Sequence, residues 1–222
     1  MITHFKIYGE RCSGTNYLQN VLERNFDLKL CQKYGNKHFF KFREYDEDEK
    51  NVLFIGIARD VYHWINSFWK CPYHLPKSLT ENVNSFLTKE FYSINENDGD
   101  SEIMADRNIY KNRFRYKNVI EARSLKTKFL IKELPKHVSH YIFISYEDLK
   151  NNFENVMKRL QTEFNLTVIS EDFPENVTTY KKSKEQFVPR PEEEYEITRE
   201  MLTKHPDYDE NTELLFTSKK IE

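Results

Sequence analysis

An α/β fold, three layers deep with a parallel sheet at its centre, is what the 222-residue sequence predicts, and three observations predict it. Runs such as Val52 to Ala58 are apolar throughout, as strands buried on both faces are. Between such runs lie stretches with apolar residues three and four positions apart, the period of a helix with one buried face. The two patterns alternate, and βαβα alternation favours a sheet covered by helices with ligands at the carboxyl ends of its strands.

The first strand is read at Phe5 to Tyr8, and Gly9 breaks it. A helix follows with Leu18, Val21, Leu22 and Phe26 as its apolar stripe, then strands at Lys37 to Phe42 and Val52 to Ala58. Asp60 has the side chain to cap the next helix, whose stripe is Val61, Trp64, Ile65 and Phe68. Thr80 to Tyr92 reads as a helix, "SINENDGDSE" as an exposed acidic loop, and Asp106 to Leu134 as a long basic helix. A strand at Tyr141 to Ser145 precedes a helix marked by Leu149, Phe153, Val156, Met157, Leu160 and Phe164. After Phe173-Pro174 come "TTYKKSKEQFVPRP", a helical pattern around Glu193 to Thr203 and a charged tail. The reading is one domain over residues 1–222, with a helical insertion or lid at about 72–135 and a C-terminal cover at about 174–222.

Composition narrows the function. An aromatic content of 15% argues against disorder, and a net charge of −2 provides no broad positive field for nucleic acid or an anionic membrane. Any anion must therefore meet a local cluster. Cys12, Cys31 and Cys71 lack the spacing of a zinc site or a dense disulfide scaffold, so a reducing compartment is expected. No apolar run reaches the roughly 18 residues of a spanning helix, and "MITHFKIYG" reads as a strand and not a signal peptide. The expectation is a soluble, cytoplasmic protein without nucleic-acid or membrane partners; the oligomeric state is left open.

Two local patterns point to anions. In "GERCSGTN", Gly9 and Gly14 have the spacing of the two glycines in G-x-x-x-x-G-K-[ST], but Thr15 and Asn16 replace the Lys and the Ser or Thr. A strand-to-helix turn of this kind presents backbone N–H groups at the positive end of the helix dipole, with or without the lysine. Without that lysine and hydroxyl, a metal-assisted phosphoryl-transfer site is incomplete. In "FIGIARDVYHWINSF", Arg59 ends a buried strand and Ser67 falls about two turns into the next helix, a pair suited to a second phosphate. The plain alternatives are a tight turn at the glycines and an Arg59–Asp60 surface pair.

"YGERCSGTNYL", "IARDVYHWINSF" and "FISYEDL", in that order from Ile7 to about Leu160, resemble the motifs of sulfotransferases that use 3'-phosphoadenosine 5'-phosphosulfate (PAPS). The resemblance implies a P-loop NTPase-like sulfotransferase architecture. It implies Ser13, Gly14, Thr15 and Asn16 around the 5'-phosphosulfate, Arg59 and Ser67 on the 3'-phosphate, and Tyr146 by the adenine. Many members of that family carry a cation immediately before S-G-T, where this chain has Cys12; Arg11 or Lys37 is expected to supply the charge. Arg123 and Lys126, one turn apart, are candidates for the 3'-phosphate or an anionic acceptor, or else ordinary surface charges. The family's late basic loop makes Lys181, Lys182 and Arg190 candidates, with Tyr180 or Phe187 for stacking.

The implied reaction moves a sulfuryl group from PAPS to a hydroxyl or amine of a carbohydrate, small metabolite or protein side chain, releasing adenosine 3',5'-bisphosphate (PAP). It needs a base and a cation, and no metal is expected. "NKHFFKF" offers His38 as base and Lys37 as cation, with Glu10 as runner-up base and His63 and His74 behind it. Strict strand alternation would put Lys37 and His38 on opposite faces. Two other readings stay open: a P-loop nucleotide kinase, and a noncatalytic nucleotide-binding module.

Overall fold

The computed structural model describes residues 1–111, 113–177 and 191–219. Among them, β1 (His4–Tyr8), β2 (Lys29–Leu30), β3 (Val52–Ala58) and β6 (His140–Ser145) form one parallel sheet in the order β2-β1-β3-β6. In the chain segment that links β3 to β6 is a separate small antiparallel hairpin, β4 (Ile94–Asn95) with β5 (Ser101–Glu102). One face of the sheet, carrying Phe5, Ile7, Leu53, Ile55, Ile57, Ile142 and Ile144, packs on α1 (Thr15–Asn25), α5 (Tyr146–Asn151) and α6 (Phe153–Phe164). The other, carrying Tyr8, Phe54, Ala58 and Phe143, meets Phe129, Leu130 and Leu134 from the continuation of α4 (Val119–Lys128), and Phe216 of α8 (Glu210–Thr217). Strict inward and outward alternation of apolar side chains along β1, β3 and β6 is what puts helices on both faces.

Two helices complete the frame of the site. α2 (Val61–Lys70) follows β3 directly, and Asp60 caps it by accepting from the N–H groups of Tyr62 and His63. Its Trp64, Ile65 and Phe68 pack against Phe86 of α3 (Val83–Thr88) and Val119 and Ile120 of α4. The chain runs from β1 outward to β2 and then returns to β3 on the opposite side of β1. That reversal opens a crevice beyond the carboxyl ends of β1 and β3, where ligands of open α/β sheets bind.

Several sequence expectations need correction. Lys37 to Phe42 is not a strand; the edge position beside β1 belongs to Lys29–Leu30. Phe39 and Phe40, adjacent in sequence, are both buried, Phe39 beside Arg11 and His74 and Phe40 beside Tyr8 and Phe129, which a half-exposed alternating strand does not allow. The long helix starts at Val119 and not at Asp106, because Asn118 caps it by accepting from Glu121 N–H. Upstream, Asn108 turns the chain by accepting from the N–H groups of Tyr110 and Lys111. Asn82 and Thr198 likewise start helices inside the expected ranges, at Val83 and at Arg199, the latter opening α7 (Arg199–Thr203). The acidic loop is the β4–β5 hairpin, turned at Gly99 with φ +56°. No helix among the described residues is long and apolar enough to cross a membrane.

Two buried asparagines anchor the C-terminal third. Asn25 of α1 donates to the Glu175 carbonyl at 2.8 Å and accepts from its N–H at 2.7 Å. Asn66 of α2 does the same with Ile197, at 2.8 and 3.0 Å. Each side chain acts as a strand edge would, satisfying both polar groups of one backbone residue.

Candidate functional site

The turn from β1 into α1 is shaped by what its glycines exclude. A Cβ on Gly9 would sit 2.5 Å from the Ile57 carbonyl oxygen, so only hydrogen fits against β3. Gly14 caps α1 at φ +86°, a left-handed conformation, and a Cβ there would meet the Tyr146 ring at 2.4 Å. No side chain among the described residues caps α1, and its first turn carries no acidic residue. Its leading N–H groups, with no intrahelical partner, make an electropositive end suited to an anion.

Three adjacent strands deliver side chains to this turn. Arg59 follows β3, and its guanidinium lies 4.9 Å from the centre of the Tyr146 ring, which begins α5 after β6 and rests on Gly14. Arg59 Nε and Ser13 Oγ are buried and have no hydrogen-bond partner among the described residues. A guanidinium donor and a hydroxyl flanking a helix end without a side-chain cap among the described residues fit an oxygen-rich anion. Ser67 of α2 hydrogen-bonds the Cys12 thiol, which burial pushes up to about 11. Burial also raises the Tyr146 phenol, with Arg59 opposing.

Lys37 and His38 come from the irregular segment beside β1. Gly9 N–H donates to the Lys37 carbonyl at 3.0 Å, and Lys37 Nζ donates to Asn16 Oδ1 in the first turn of α1. Because this segment is not a strand, both side chains reach the turn: His38 Nδ1 lies 2.8 Å from the Gly9 carbonyl oxygen. A carbonyl only accepts, so Nδ1 carries the proton and Nε2 presents a lone pair. Burial, with Arg11, Lys37 and Lys126 nearby, lowers the His38 imidazole to about 3 although part of the residue reaches the surface. The ring is neutral at pH 7.

Glu10 and Arg11 belong to a different structure from the one expected of them. Arg11 turns inward, donates to the Tyr73 carbonyl at 2.8 Å, lies 3.5 Å from Asp106 and packs against the rings of Phe39, Phe68 and Phe91. Glu10 is held at 2.5 Å by Lys126, whose ammonium also donates to Asp106 at 2.7 Å and to the His38 carbonyl at 3.0 Å. Asp106 is fully buried; burial pushes its carboxyl up, but Lys126 and Arg11 outweigh that and hold it below the usual range. Two carboxylates and two cations thus close a neutral cluster under the turn. Arg11 does not face the helix end and Glu10 is not placed as a base; of the two cations considered for the turn, Lys37 is the one at α1.

Arg123 is corrected too. It is neither at the turn nor on a solvated face: at 2% exposure it pairs with Glu213 of α8 through two bonds of 3.1 Å and lies against Trp64 and Phe216. Lys181 and Arg190, with Tyr180, Lys182 and Phe187, lie outside the described residues. His63 is engaged by Tyr195 and Glu192, while His74, at φ +61°, packs on Phe39. Sequence reading missed Asp106, and the one signal for it was a pair of cations spaced along α4 among apolar neighbours. The structure brings together Ser13, Gly14, Thr15, Asn16, Cys12, Ser67, Arg59, Tyr146, Lys37 and His38 around one turn.

The fold and this site define an α/β chain with an anion-compatible helix end at the switch point of its sheet. No protein-family model, no curated protein and no solved structure matches the chain.

Proposed function

We propose that the chain is a sulfotransferase of P-loop-like architecture that carries a sulfuryl group from PAPS to a hydroxyl or amine acceptor. The observation that carries the reading is the meeting, at one crevice, of a helix N-terminus and of Arg59 and Ser13, whose buried Nε and Oγ have no hydrogen-bond partner among the described residues, as the helix end has no side-chain cap among them. These groups fit a donor with phosphate at both ends. The N–H groups of Thr15 and Asn16 and the Lys37 ammonium face the 5'-phosphosulfate, and Arg59 and Ser67 hold the 3'-phosphate. Tyr146, pinned between Gly14 and Arg59, sits beside the base.

PAPS supplies a sulfuryl group on a phosphate leaving group, with less charge to neutralise than phosphoryl transfer brings. His38 Nε2 takes the acceptor proton, while Lys37 and the helix end meet the charge growing on the leaving phosphate. A base held as low as about 3 is weak in the free protein, but a bound polyanion stabilises imidazolium and raises it. The expected acceptors are carbohydrate, metabolite or protein hydroxyls.

The test is sulfate transfer from labelled PAPS to an acceptor panel in the presence of a metal chelator. Transfer by the parent, and its loss in His38→Ala with PAP affinity retained, is the expected outcome. Full turnover in His38→Ala removes His38 as the base. PAP binding with no transfer to any acceptor identifies instead a noncatalytic nucleotide-binding module, the reading that Cys12 in place of a loop cation favours.

A further inference from the structure

Cys12 takes no part in the proposed chemistry, yet it is held in a conformation that ordinary residues avoid, at φ +63°. Its side chain crosses from the β1–α1 turn to the last turn of α2. There its sulfur meets Ser67 and lies 3.8 Å from the carbonyl oxygen of Cys71, the residue that ends α2. Standard backbone geometry puts that oxygen about 2.4 Å from Cys71's own Cα, so the Cys12 sulfur lies within roughly 6 Å of it. A disulfide requires the two Cα atoms to stand about 4.4–6.8 Å apart, and the contact of the Cys12 sulfur with the backbone of Cys71 sets the two residues side by side. Cys71 is exposed and Cys12 only partly so; the third thiol, Cys31, is buried in the core around Tyr8 and Tyr34.

We propose that Cys12 and Cys71 are a thiol pair that closes to a disulfide by exchange with a small-molecule disulfide, stapling the β1–α1 turn to the end of α2. The Cys71 thiolate attacks one sulfur of the reagent, RSSR, forming a mixed disulfide and releasing RS⁻. Cys12 then gives its proton to solvent and attacks the Cys71 sulfur, releasing the second RS⁻. Two protein thiols and RSSR become one protein disulfide and two RSH. The order follows from exposure, because the reagent reaches Cys71 first, and burial raises the Cys12 thiol and makes it the poorer first nucleophile; the second step gains from the attacked sulfur being held beside it.

The pairing stands apart from the nucleotide reading; its consequence rests on that reading. Closing the disulfide takes the Cys12 thiol away from Ser67 and draws the turn toward the end of α2, changing the spacing between the helix end and Ser67. PAP affinity is expected to fall about tenfold in the oxidised protein, roughly 1.4 kcal/mol.

The experiment is intact-protein mass spectrometry of the folded chain after exposure to oxidised glutathione, with PAP calorimetry on the same samples. The parent is expected to lose two hydrogens and keep no adduct. Cys12→Ser is expected to stop at a stable glutathione adduct on Cys71, Cys71→Ser to remain unmodified, and Cys31→Ser to behave as the parent. A parent that accumulates the Cys71 adduct without closing overturns the pairing, whatever PAP does. A parent that closes but binds PAP in neither state upholds the pairing and counts against the nucleotide reading.

Discussion

Replacing Lys126 by Met tests the charge cluster beneath the turn. Lys126 is 1% exposed, and its ammonium bonds Glu10, Asp106 and the His38 carbonyl at 2.5, 2.7 and 3.0 Å. Met matches its length but leaves Glu10 and Asp106 with Arg11 as their remaining cation in the cluster. Removing one partner of a buried ion pair costs roughly 3–5 kcal/mol, since the charge left behind is desolvated and unpaired. For a chain of this length each kcal/mol lowers the melting temperature by about 2–4 °C, so a drop of roughly 6–20 °C is expected.

The pH dependence carries a sign that simple loss of packing does not. In the parent, the Asp106 carboxyl is held below its ordinary value, so the stability it lends is present above about pH 4 and lost as pH falls through the folded value. Without Lys126 desolvation dominates and the folded value rises above the ordinary one. The deficit of the variant is then largest at high pH and shrinks as pH falls toward about 4. Adding Asp106→Asn to the variant should recover part of the loss, which a double-mutant cycle reads directly. Thermal and urea unfolding followed by circular dichroism at pH 8 and pH 5 measure all of this. A deficit below about 1 kcal/mol, equal at both pH values, refutes the reasoning.

Other expectations follow from single residues. Gly14→Ala puts a side chain at φ +86° and against the Tyr146 ring, so it should cost at least about 1–2 kcal/mol in urea unfolding; an unchanged midpoint contradicts the left-handed cap. Asn66→Ala leaves both polar groups of Ile197 unsatisfied and should cost roughly 2–4 kcal/mol, with faster amide exchange at Ile197. His38 should show the Nδ1–H tautomer by nitrogen-15 NMR and stay neutral from pH 8 to below pH 4 in the free protein. Because its folded value lies below the unfolded one, stability drawn from the neutral ring is full above about pH 6.5 and lost as pH falls toward 3. A titration midpoint near 6.5 would show that the ring is not enclosed.

The parts of the fold readable in the sequence were those where burial alone decides. Val52–Ala58, buried along its whole length, coincides with the apolar run, and Asp60 caps α2 as its position before that helix suggests. The glycine-flanked turn was legible because backbone constraint at Gly9 and Gly14 is a local property. Segments governed by tertiary partners were not. Lys37 to Phe42 has the composition of a strand, yet its aromatics serve two separate contacts and its backbone meets the chain at Gly9, just beyond the carboxyl end of β1. Arg123 and Lys126 read as surface or ligand-binding cations because their counter-charges, Glu213, Glu10 and Asp106, are distant in sequence. Within the site, residue types marked Arg59, Ser67 and Tyr146, whereas the choice between Arg11 and Lys37 required knowing which way each side chain turns.

Calorimetric titration with PAP, with no metal added, comparing the parent with Arg59→Ala, tests the central claim most directly. Arg59 supplies a buried donor without a hydrogen-bond partner among the described residues, at the carboxyl end of β3, so the parent should bind and the variant should lose roughly 1.5–3 kcal/mol, about ten- to 150-fold in affinity. Equal affinity in the two proteins, or no binding by the parent, contradicts it.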